Sequence, residues 1–510
     1  MPQILFFARS YLTSLAPQLD SHLRSNNLIP YYLTQTIGEQ KKLTSANLRT
    51  ILPSFQSVIA TALRGRNLGF ELYDLTGSSI EIQDIKEKTD FPNDPVLADR
   101  FLKHLDQDQA YRIASIIFSY TKYLFCNHEF EAVIGEPVTM FPTHCLMYWA
   151  IKLNVKPLFW CSGFTPNTMY FTSKLDLNPI PLSHSNRPQP SSMEDVNEAL
   201  QYIGLIKSKS IGPIYNKDYY KRDKQDNPFL YLLRSRSGAR PLIYERSFYY
   251  VFYAFLRAAR SWLSLVSFRI SYNYTQAFSL HENLQALQMA IKSFNASAYS
   301  TKQLPTALSS YPPGSPLLLF YPLQYEPEAS LDYLAPAIGS QESFLRRVIH
   351  SIDERAILII KEHPNQLGAL LMAKWGFLRD SPQVLCLPGT LNARDIMLRV
   401  GGVISISSSA SFEAAVMGIP TFLFSDCYFS RLPSVLRLDN PALLSKQVIE
   451  KHINIVKKFR YIDHMTANEL YRISLSIAPG DPQPSDSLYT KENLQNLSKL
   501  TSSMIQFSLA

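Results

Sequence analysis

Three polar segments in the second half of the chain each follow an apolar run. They carry carboxylates, a lysine, a histidine and hydroxyls, namely Glu326, Glu328, Lys361, His363, Ser408, Ser409 and Ser411. Cationic and hydrogen-bonding groups of this kind can stabilise a phosphate leaving group, and a carboxylate can bind sugar hydroxyls or position a neighbouring histidine. The pattern therefore indicates a site for a phosphorylated ligand.

The apolar runs before these segments have the length and composition of buried parallel strands. They lie at 317–322, 356–360 and 402–406. Ligands of open α/β sheets bind beyond the carboxyl ends of the strands, where all three polar segments would lie. Pro364 keeps His363 extended, and the serines at 407–411 open a predicted helix whose N-terminus favours an anion. The alternatives are an exposed or structural histidine, and serines that only cap the helix.

The same segments resemble the bacterial capsule polysaccharide biosynthesis family. They read QYEPEAS at 324–330, KEHP at 361–364, SSSASFEA at 407–414 and GIP at 418–420. The family looks like a set of GT-B glycosyltransferases, including enzymes that use CMP-activated 3-deoxy-manno-octulosonic acid (Kdo). The resemblance implies an α/β, GT-B-like fold of two Rossmann-like domains facing a cleft.

The resemblance also implies roles for individual side chains. In such enzymes the histidine of the His-Pro pair and the serine loop contact the nucleotide phosphate, and the glutamate after the loop faces the ribose. Carried over to this chain, these residues are His363, Ser408, Ser409, Ser411 and Glu413. Lys361 is a further candidate for the phosphate; the alternative is a local ion pair with Glu362.

A candidate general base comes from the N-terminal half. Residues 131–136 predict a strand, 142–153 a helix and 156–160 a second strand, which together form a βαβ unit. Its crossover places Glu136 at the carboxyl edge of the sheet, so we assign Glu136 as the base for the acceptor hydroxyl, with His144 second. Both have ordinary alternatives, Glu136 paired with a lysine and His144 facing solvent.

Glu328 and His363 complete the predicted catalytic set. The sequence contains no His or Cys cluster with metal-ligand spacing. A CMP-sugar carries a single phosphate, which one histidine and a helix N-terminus can neutralise. We therefore expect no metal, and no cofactor apart from the CMP-activated donor substrate.

Length and composition indicate a globular protein of more than one domain. The chain has 510 residues, of which 46% are hydrophobic and 18% charged. We predict an N-terminal Rossmann-like acceptor domain at 1–175, a lid and helical insertion at 176–300, a nucleotide-sugar-binding domain at 301–480 and a tail at 481–510. Five scattered cysteines and the absence of a basic region before the first apolar run favour the cytoplasm.

Residues 206–270 form a basic and aromatic segment. They contain thirteen Lys and Arg against four Asp and Glu, a net charge of +9, whereas the whole chain carries +8. Aromatic residues with spaced arginines are typical of an interfacial helix on an anionic membrane. The alternative is a helical insertion whose aromatic residues pack on the main body. Single-stranded nucleic acid could use the same residues, but nothing else in the sequence supports it.

Together these features predict a glycosyltransferase of surface polysaccharide biosynthesis. It would transfer Kdo or a related acid sugar from a CMP donor to a glycan or glycolipid acceptor, in the cytoplasm and peripheral to the inner membrane, with other assembly proteins as further partners. Two other enzymes fit the same halves, a CDP-glycerol-type phosphotransferase and a nucleotide-sugar 2-epimerase. A non-catalytic assembly subunit that binds sugar nucleotide or lipid is the alternative from another class.

Overall fold

The computed structural model of the chain describes residues 1–77, 79–163, 168–181, 193–209, 248–295, 312–326, 335, 338–364, 366–389, 391–482 and 488–509. The chain divides into two compact units. The first consists of Met1–Arg187, Ser264–Phe278 and Ile473–Ala510, and the second of Pro188–Leu263 and Ser279–Arg472. Each unit contains one six-stranded sheet, so the predicted α/β class with two Rossmann-like domains is confirmed.

Strands and helices alternate along most of both units. The strands are β1 (Gln3–Phe7), β2 (Ile29–Leu33), β3 (Ala132–Gly135), β4 (Lys156–Ser162), β5 (Thr168–Thr172), β6 (Ser315–Pro322), β7 (Ile357–Lys361), β8 (Val384–Leu387), β9 (Val400–Ser405), β10 (Thr421–Leu423), β11 (Val435–Arg437) and β12 (Ala478–Pro479). The helices are α1 (Tyr11–Ser25), α2 (Ile37–Ser45), α3 (Phe55–Leu63), α4 (Ile80–Thr89), α5 (Gln107–Asn127), α6 (Phe141–Lys152), α7 (Met193–Lys207), α8 (Phe248–Ser271), α9 (Thr275–Asn295), α10 (Gln341–Ser351), α11 (Gly376–Arg379), α12 (Ala393–Met397), α13 (Ser409–Val416), α14 (Lys446–Lys458), α15 (Ile462–Ser474) and α16 (Lys491–Leu509). Short 3₁₀ helices span Leu102–His104, Ala369–Leu371, Ala373–Trp375 and Pro441–Leu443.

The first sheet has the strand order β12-β5-β4-β3-β1-β2. Strands β1 to β4 pair in parallel, and β5 pairs antiparallel with both β4 and β12. The chain runs from β1 outward to β2 and then returns to the other side of β1 with β3. The strand order therefore reverses between β1 and β3. Open α/β sheets bind ligands in the crevice at the carboxyl ends of the strands beside such a reversal.

The second sheet is parallel throughout, in the order β11-β10-β9-β6-β7-β8. In chain order this is the 3-2-1-4-5-6 arrangement of dinucleotide-binding Rossmann sheets. Its reversal lies between β6 and β9. Both strands are almost wholly apolar and buried, as expected of parallel strands that are covered on both faces.

A glycine in β9 permits the close approach of β6 and β9. A Cβ atom on Gly401 would lie 2.2 Å from the backbone oxygen of Ser315, which no side chain can tolerate. Glycine at position 401 thus leaves room for the backbone of Ser315 at the point where the sheet reverses.

Each sheet is sandwiched between apolar layers. In the first unit, residues of α3, α5 and α6 cover one face, and residues of α1 and α16 cover the other. In the second unit, α10 and α14 contribute the buried residues Phe344, Leu345, Val348, Ile449 and Ile453 to one core with β6, β7 and β9. These amphipathic helices bury the 3.6-residue apolar stripes that their sequences show.

The two units differ from the four predicted segments. The segment predicted as a separate tail, 481–510, supplies α16 to the first unit, because Leu494, Leu497 and Met504 bury against the face of α1. The predicted insertion at 176–300 is shared between the units. Of the basic segment 206–270, the structure describes 206–209 and 248–270, and the predictions made for 210–247 lie outside the described residues.

Candidate functional site

Polar side chains follow β6 and β9 on both sides of the reversal in the second sheet. Gln324 comes two residues after β6, and Ser407 comes two residues after β9. The amide Nε2 of Gln324 donates a hydrogen bond to Oγ of Ser407, at 3.3 Å. This contact joins the two strand ends across the crevice.

Gln324 is held in place by Gln341, the first residue of α10. Oε1 of Gln341 accepts a hydrogen bond from the backbone N of Gln324 at 2.8 Å, and its Nε2 donates to the backbone O of Gln324 at 3.0 Å. The same Oε1 accepts from the hydroxyl of Tyr321 at 3.0 Å. Gln341 is fully buried, and its hydrogen bonds hold the loop after β6 in place.

The side chain of Gln324 nevertheless keeps one hydrogen-bonding atom uncommitted. Gln324 is 4% exposed, and its Oε1 has no hydrogen-bond partner among the described residues. Rotating the amide by 180° would exchange the positions of Oε1 and Nε2. In that orientation Nε2 would be the atom without a hydrogen-bond partner. A buried amide atom without a partner costs about 1–3 kcal/mol. A ligand hydroxyl, amine or carboxylate in the crevice would remove that cost.

The serine loop caps helix α13. Oγ of Ser408 accepts a hydrogen bond from the backbone N of Ser411 at 3.1 Å, and Oγ of Ser405 donates to it at 3.0 Å. Ser411 is fully buried and donates to the backbone O of Ser408. Of the three predicted phosphate-binding serines, Ser409 is the exposed one. The backbone N–H groups of its turn point out of the helix N-terminus, as an anion requires.

His363 follows β7, the strand on the other side of β6. Its ring lies edge-to-face against Tyr325, with centroids 5.7 Å apart and an interplanar angle of 75°. The hydroxyl of Tyr325 donates to Oε1 of Glu282 in α9 at 2.5 Å. His363 is half-buried, so the described contacts orient its ring while part of the side chain still reaches solvent.

Lys361 is buried at the last position of β7, with 5% exposure. Its Nζ donates to the backbone O of Glu362 at 3.2 Å. Burial lowers the pKa of Lys361 to about 8, an effect that the charge of Glu362 only partly offsets. The predicted phosphate-binding lysine is therefore an ammonium group with little solvation of its own.

The neighbouring carboxylates hold loops together. Glu326 accepts from Lys374 Nζ at 2.6 Å and from the backbone N of Gln341 at 3.3 Å. Glu362 accepts from the backbone N of Leu370 at 2.9 Å. Glu328, predicted as a catalytic residue, lies outside the described residues.

Glu413 forms a buried ion pair with Arg394. Nε and Nη2 of Arg394 donate to the two carboxylate oxygens at 2.8 and 2.9 Å, and both side chains are nearly inaccessible to solvent. This bidentate pairing occupies both oxygens on one side, while each oxygen retains a further lone pair. Sequence reasoning missed Arg394, because nothing in the short α12 marks it as the partner of a residue in α13.

At the reversal of the first sheet, Glu136 pairs with Arg9. Nη2 of Arg9 lies 2.6 Å from Oε2 of Glu136 and donates to Oγ1 of Thr139 at 3.0 Å. The buried Nε of Arg9 has no hydrogen-bond partner in the part of the chain that the structure describes. Burial, with the adjacent Glu136 carboxylate, raises the pKa of Tyr11. The predicted base thus lies at the predicted strand end, in contact with an arginine rather than a lysine.

His144, the second candidate base, lies in the core. It is fully buried in α6, with its Nε2 2.8 Å from Oγ1 of Thr89 and its ring against Phe91. Burial lowers the pKa of His144 to about 3. A neutral imidazole that solvent cannot reach contributes to the packing of α6. It is not positioned to take a proton from the hydroxyl of an acceptor substrate.

Three further properties concern the described residues only. No group of three or more His, Cys, Asp and Glu side chains is placed to hold a metal ion within those ranges. None of the helices described is long and apolar enough to cross a membrane. All five cysteines are free thiols.

No family model and no curated protein sequence matches the chain. Solved structures do resemble it. The β-Kdo 2,4-transferase KpsC of Thermosulfurimonas dismutans aligns with a TM-score of 0.32 and 12% identity over 67% of this chain and 79% of that one. The UDP-GlcNAc 2-epimerase of Neisseria meningitidis, bound to UDP-GlcNAc, gives 0.27 and 10% over 99% and 100%. The calicheamicin glycosyltransferase CalG4 gives 0.24 and 12% over 93% and 98%. Likeness at this level does not extend to activity or substrate.

Proposed function

We propose that the chain is a glycosyltransferase that uses a CMP-activated acid sugar, Kdo or a relative, and builds a surface glycan or glycolipid. The observation that carries the proposal is the arrangement of polar groups at the carboxyl ends of β6 and β9. There a buried amide of Gln324 with an uncommitted atom lies beside the N-terminus of α13. A phosphate that bears a hydroxyl-rich group supplies both the charge and the hydrogen bond that this crevice lacks.

The donor phosphate would bind at the first turn of α13, near Ser409. Strands β7 and β9 flank β6, so their carboxyl ends are about 10 Å apart. A phosphate bound between these two ends would be met by the side chain of His363 from one side and by the α13 N-terminus from the other. Glu413, already oriented by Arg394, would accept a hydrogen bond from the ribose. Lys361, at the end of β7, would add positive charge near the phosphate.

The reaction is a displacement at the anomeric carbon of the donor sugar. The acceptor hydroxyl oxygen forms the new glycosidic bond, its proton passes to a carboxylate, and the bond from the anomeric carbon to the phosphate oxygen breaks to release CMP. Glu136 is the proposed base, and His363 and the α13 N-terminus would stabilise the negative charge on CMP. Release of this one phosphate needs no metal in the proposed mechanism.

The proposed setting is the cytoplasmic face of the inner membrane, where acceptor glycolipids and other assembly proteins would be met. Three alternatives remain distinct in their products. A CDP-glycerol-type phosphotransferase releases CMP and forms a phosphodiester, a nucleotide-sugar 2-epimerase needs no acceptor, and an assembly subunit turns over nothing.

The test is thermal stabilisation of the purified full chain by CMP, CDP, UMP and GMP. A ligand that binds only the folded state raises the melting temperature by mass action. We expect CMP or CDP to raise it, UMP and GMP to have no effect, and His363→Ala to abolish the shift. His350→Ala, an exposed histidine in α10, is the matched control. A shift with UMP alone would indicate a uridine-activated donor in place of the proposed cytidine-activated one. No shift with any nucleotide would contradict the proposed enzyme.

A further inference from the structure

Helix α8 presents large apolar side chains to solvent along one face. These are Phe252, Phe255, Leu256, Trp262 and Leu263, with exposures between 40% and 63%. Their spacing of three, four and seven residues places them on one face of a helix. We call this row the α8 stripe. Soluble proteins rarely expose a contiguous apolar surface of this kind without a partner for it.

The opposite face of α8 makes the internal contacts. Ala254, Ala258 and Ser261 are buried there, and Oγ of Ser261 accepts a hydrogen bond from Nδ2 of Asn283 in α9, at 2.6 Å. The usual amphipathic helix buries its large apolar residues and exposes small or polar ones. Among the α8 side chains that the structure describes this arrangement is reversed, so the stripe does not form the packing face towards α9. The sequence also allowed an alternative in which the aromatic residues pack on the main body. The five stripe residues do not pack in this way, because they are exposed.

The charge on α8 identifies the kind of surface that would cover the stripe. The helix sequence contains Arg257, Arg260 and Arg269 and no aspartate or glutamate. Arg260 is exposed at the edge of the stripe. An apolar face with Trp and Phe, with the exposed Arg260 at its edge, matches the boundary between acyl chains and anionic headgroups. A second copy of the same stripe would instead bring like charges together.

We propose that the α8 stripe inserts into the headgroup boundary of an anionic lipid bilayer, with α8 lying parallel to the surface. The inference does not depend on sugar transfer, because it uses only exposure, packing and charge. It assigns a membrane-docking surface to the chain whether or not the donor site is as proposed.

Tryptophan fluorescence reports on this surface directly. The chain has four tryptophans, of which Trp149, Trp160 and Trp375 are buried and Trp262 is 60% exposed. We expect vesicles of phosphatidylglycerol and phosphatidylcholine to shift the emission to shorter wavelength, and brominated lipids to quench it. Vesicles of phosphatidylcholine alone should have little effect, and Trp262→Phe should remove the response while leaving the protein bound in co-sedimentation.

Variants distinguish membrane binding through the stripe from non-specific hydrophobic adsorption to vesicles. The double variant Trp262→Ser, Leu263→Ser should lower partitioning onto anionic vesicles about a hundredfold, since two large apolar groups no longer leave water. Arg260→Glu should lower it less, and the loss should vanish at high salt. The control is Leu443→Ser, Ile455→Ser, which removes two apolar side chains of similar exposure elsewhere in the second unit.

Wild-type protein that stays in the supernatant with anionic vesicles would overturn the proposal, as would a stripe variant that binds as well as wild type. Sedimentation velocity tests the other candidate for covering the stripe, a second copy of the chain. A dimer of the wild type that the stripe variant abolishes, without lipid binding, would assign the stripe to a second copy and overturn the lipid assignment.

Discussion

Gln341 holds both backbone hydrogen-bonding groups of Gln324, at 2.8 and 3.0 Å, and so sets the position of the one buried amide that reaches across the second sheet's reversal. This pairing separates two functions in one loop. The backbone of Gln324 is satisfied by the protein, whereas Oε1 of its side chain has no hydrogen-bond partner among the described residues.

The first prediction concerns this clamp. Gln341→Leu leaves the backbone N and O of Gln324 and the hydroxyl of Tyr321 without their partner. We expect the free energy of unfolding to fall by about 2–3 kcal/mol, because buried polar groups lose hydrogen bonds. We also expect CMP affinity to fall at least about tenfold, since the amide of Gln324 would no longer be held.

Urea denaturation and calorimetric titration with CMP measure these two effects. Gln383→Leu is the control, because Gln383 donates only one side-chain hydrogen bond, to the backbone O of Asp353. Unchanged CMP affinity in Gln341→Leu would remove Gln324 from the donor site.

The second prediction concerns the buried pair of Arg394 and Glu413. Arg394→Met and Glu413→Met should each lower the free energy of unfolding by about 3–5 kcal/mol, because each leaves a buried charge without its partner. The double variant should be more stable than either single one. A double-mutant cycle by urea denaturation gives the coupling, and additive effects of the two substitutions would mean that the ion pair contributes nothing.

The third prediction uses the lowered pKa of Lys361, about 8 against an ordinary 10.5. Between these two values the unfolded chain binds a proton that the folded chain does not, so stability rises with pH there. Below about pH 8 the folded protein bears the full penalty of a buried ammonium. Lys361→Met should therefore be the more stable protein at pH 7, by up to roughly 3 kcal/mol.

That advantage should shrink as the pH rises from about 8 to 10.5. Urea denaturation across this range tests it, with Lys458→Met, an exposed lysine at the end of α14, as control. A constant difference at every pH would show that the stability gain comes from packing and not from the proton.

The fourth prediction separates chemistry from binding in the first unit. Glu136→Gln keeps the shape of the side chain but removes its ability to accept a proton. We expect kcat to fall about 10²–10⁴-fold with CMP affinity unchanged. CMP release from CMP-Kdo in the presence of native membranes is the measurement. Glu131→Gln, next to the other end of β3, is the control, and a wild-type rate for Glu136→Gln would exclude it as the base.

The fifth prediction concerns metals. Because the proposed leaving group is a single phosphate neutralised by His363 and a helix N-terminus, EDTA should leave the transfer rate unchanged. Loss of activity in EDTA that magnesium restores would contradict the metal-independent mechanism.

Local patterns were sufficient for the strands that carry the site. The apolar runs at 317–322, 356–360 and 402–406 fall on β6, β7 and β9, because a strand buried on both faces has to be apolar along its length. The segments that follow them consequently lie at one edge of one parallel sheet. Glu136 was placed at the end of β3 by the same reasoning.

Partners distant in sequence could not be predicted. Gln341 clamps a loop on another element, Arg394 reaches Glu413 from a different helix, and Arg9 meets Glu136 from a different strand. No local spacing encodes these pairings, since they depend on which elements the sheet brings together. His144 shows the opposite case, because its position near a helix start suggested access that the packing around α6 removes.

The last helix of the chain also determines when the first unit can finish folding. Helix α16 completes the core against α1, and Asn26 donates to Ser498 while Ser502 donates to the backbone of Asn26. During synthesis on the ribosome, one apolar face of the N-terminal sheet is therefore covered by α1 but not by α16 until the entire second unit has been translated. Such a nascent chain should depend on chaperones, and a stop codon shortly before Lys491 would damage the unit that is made first.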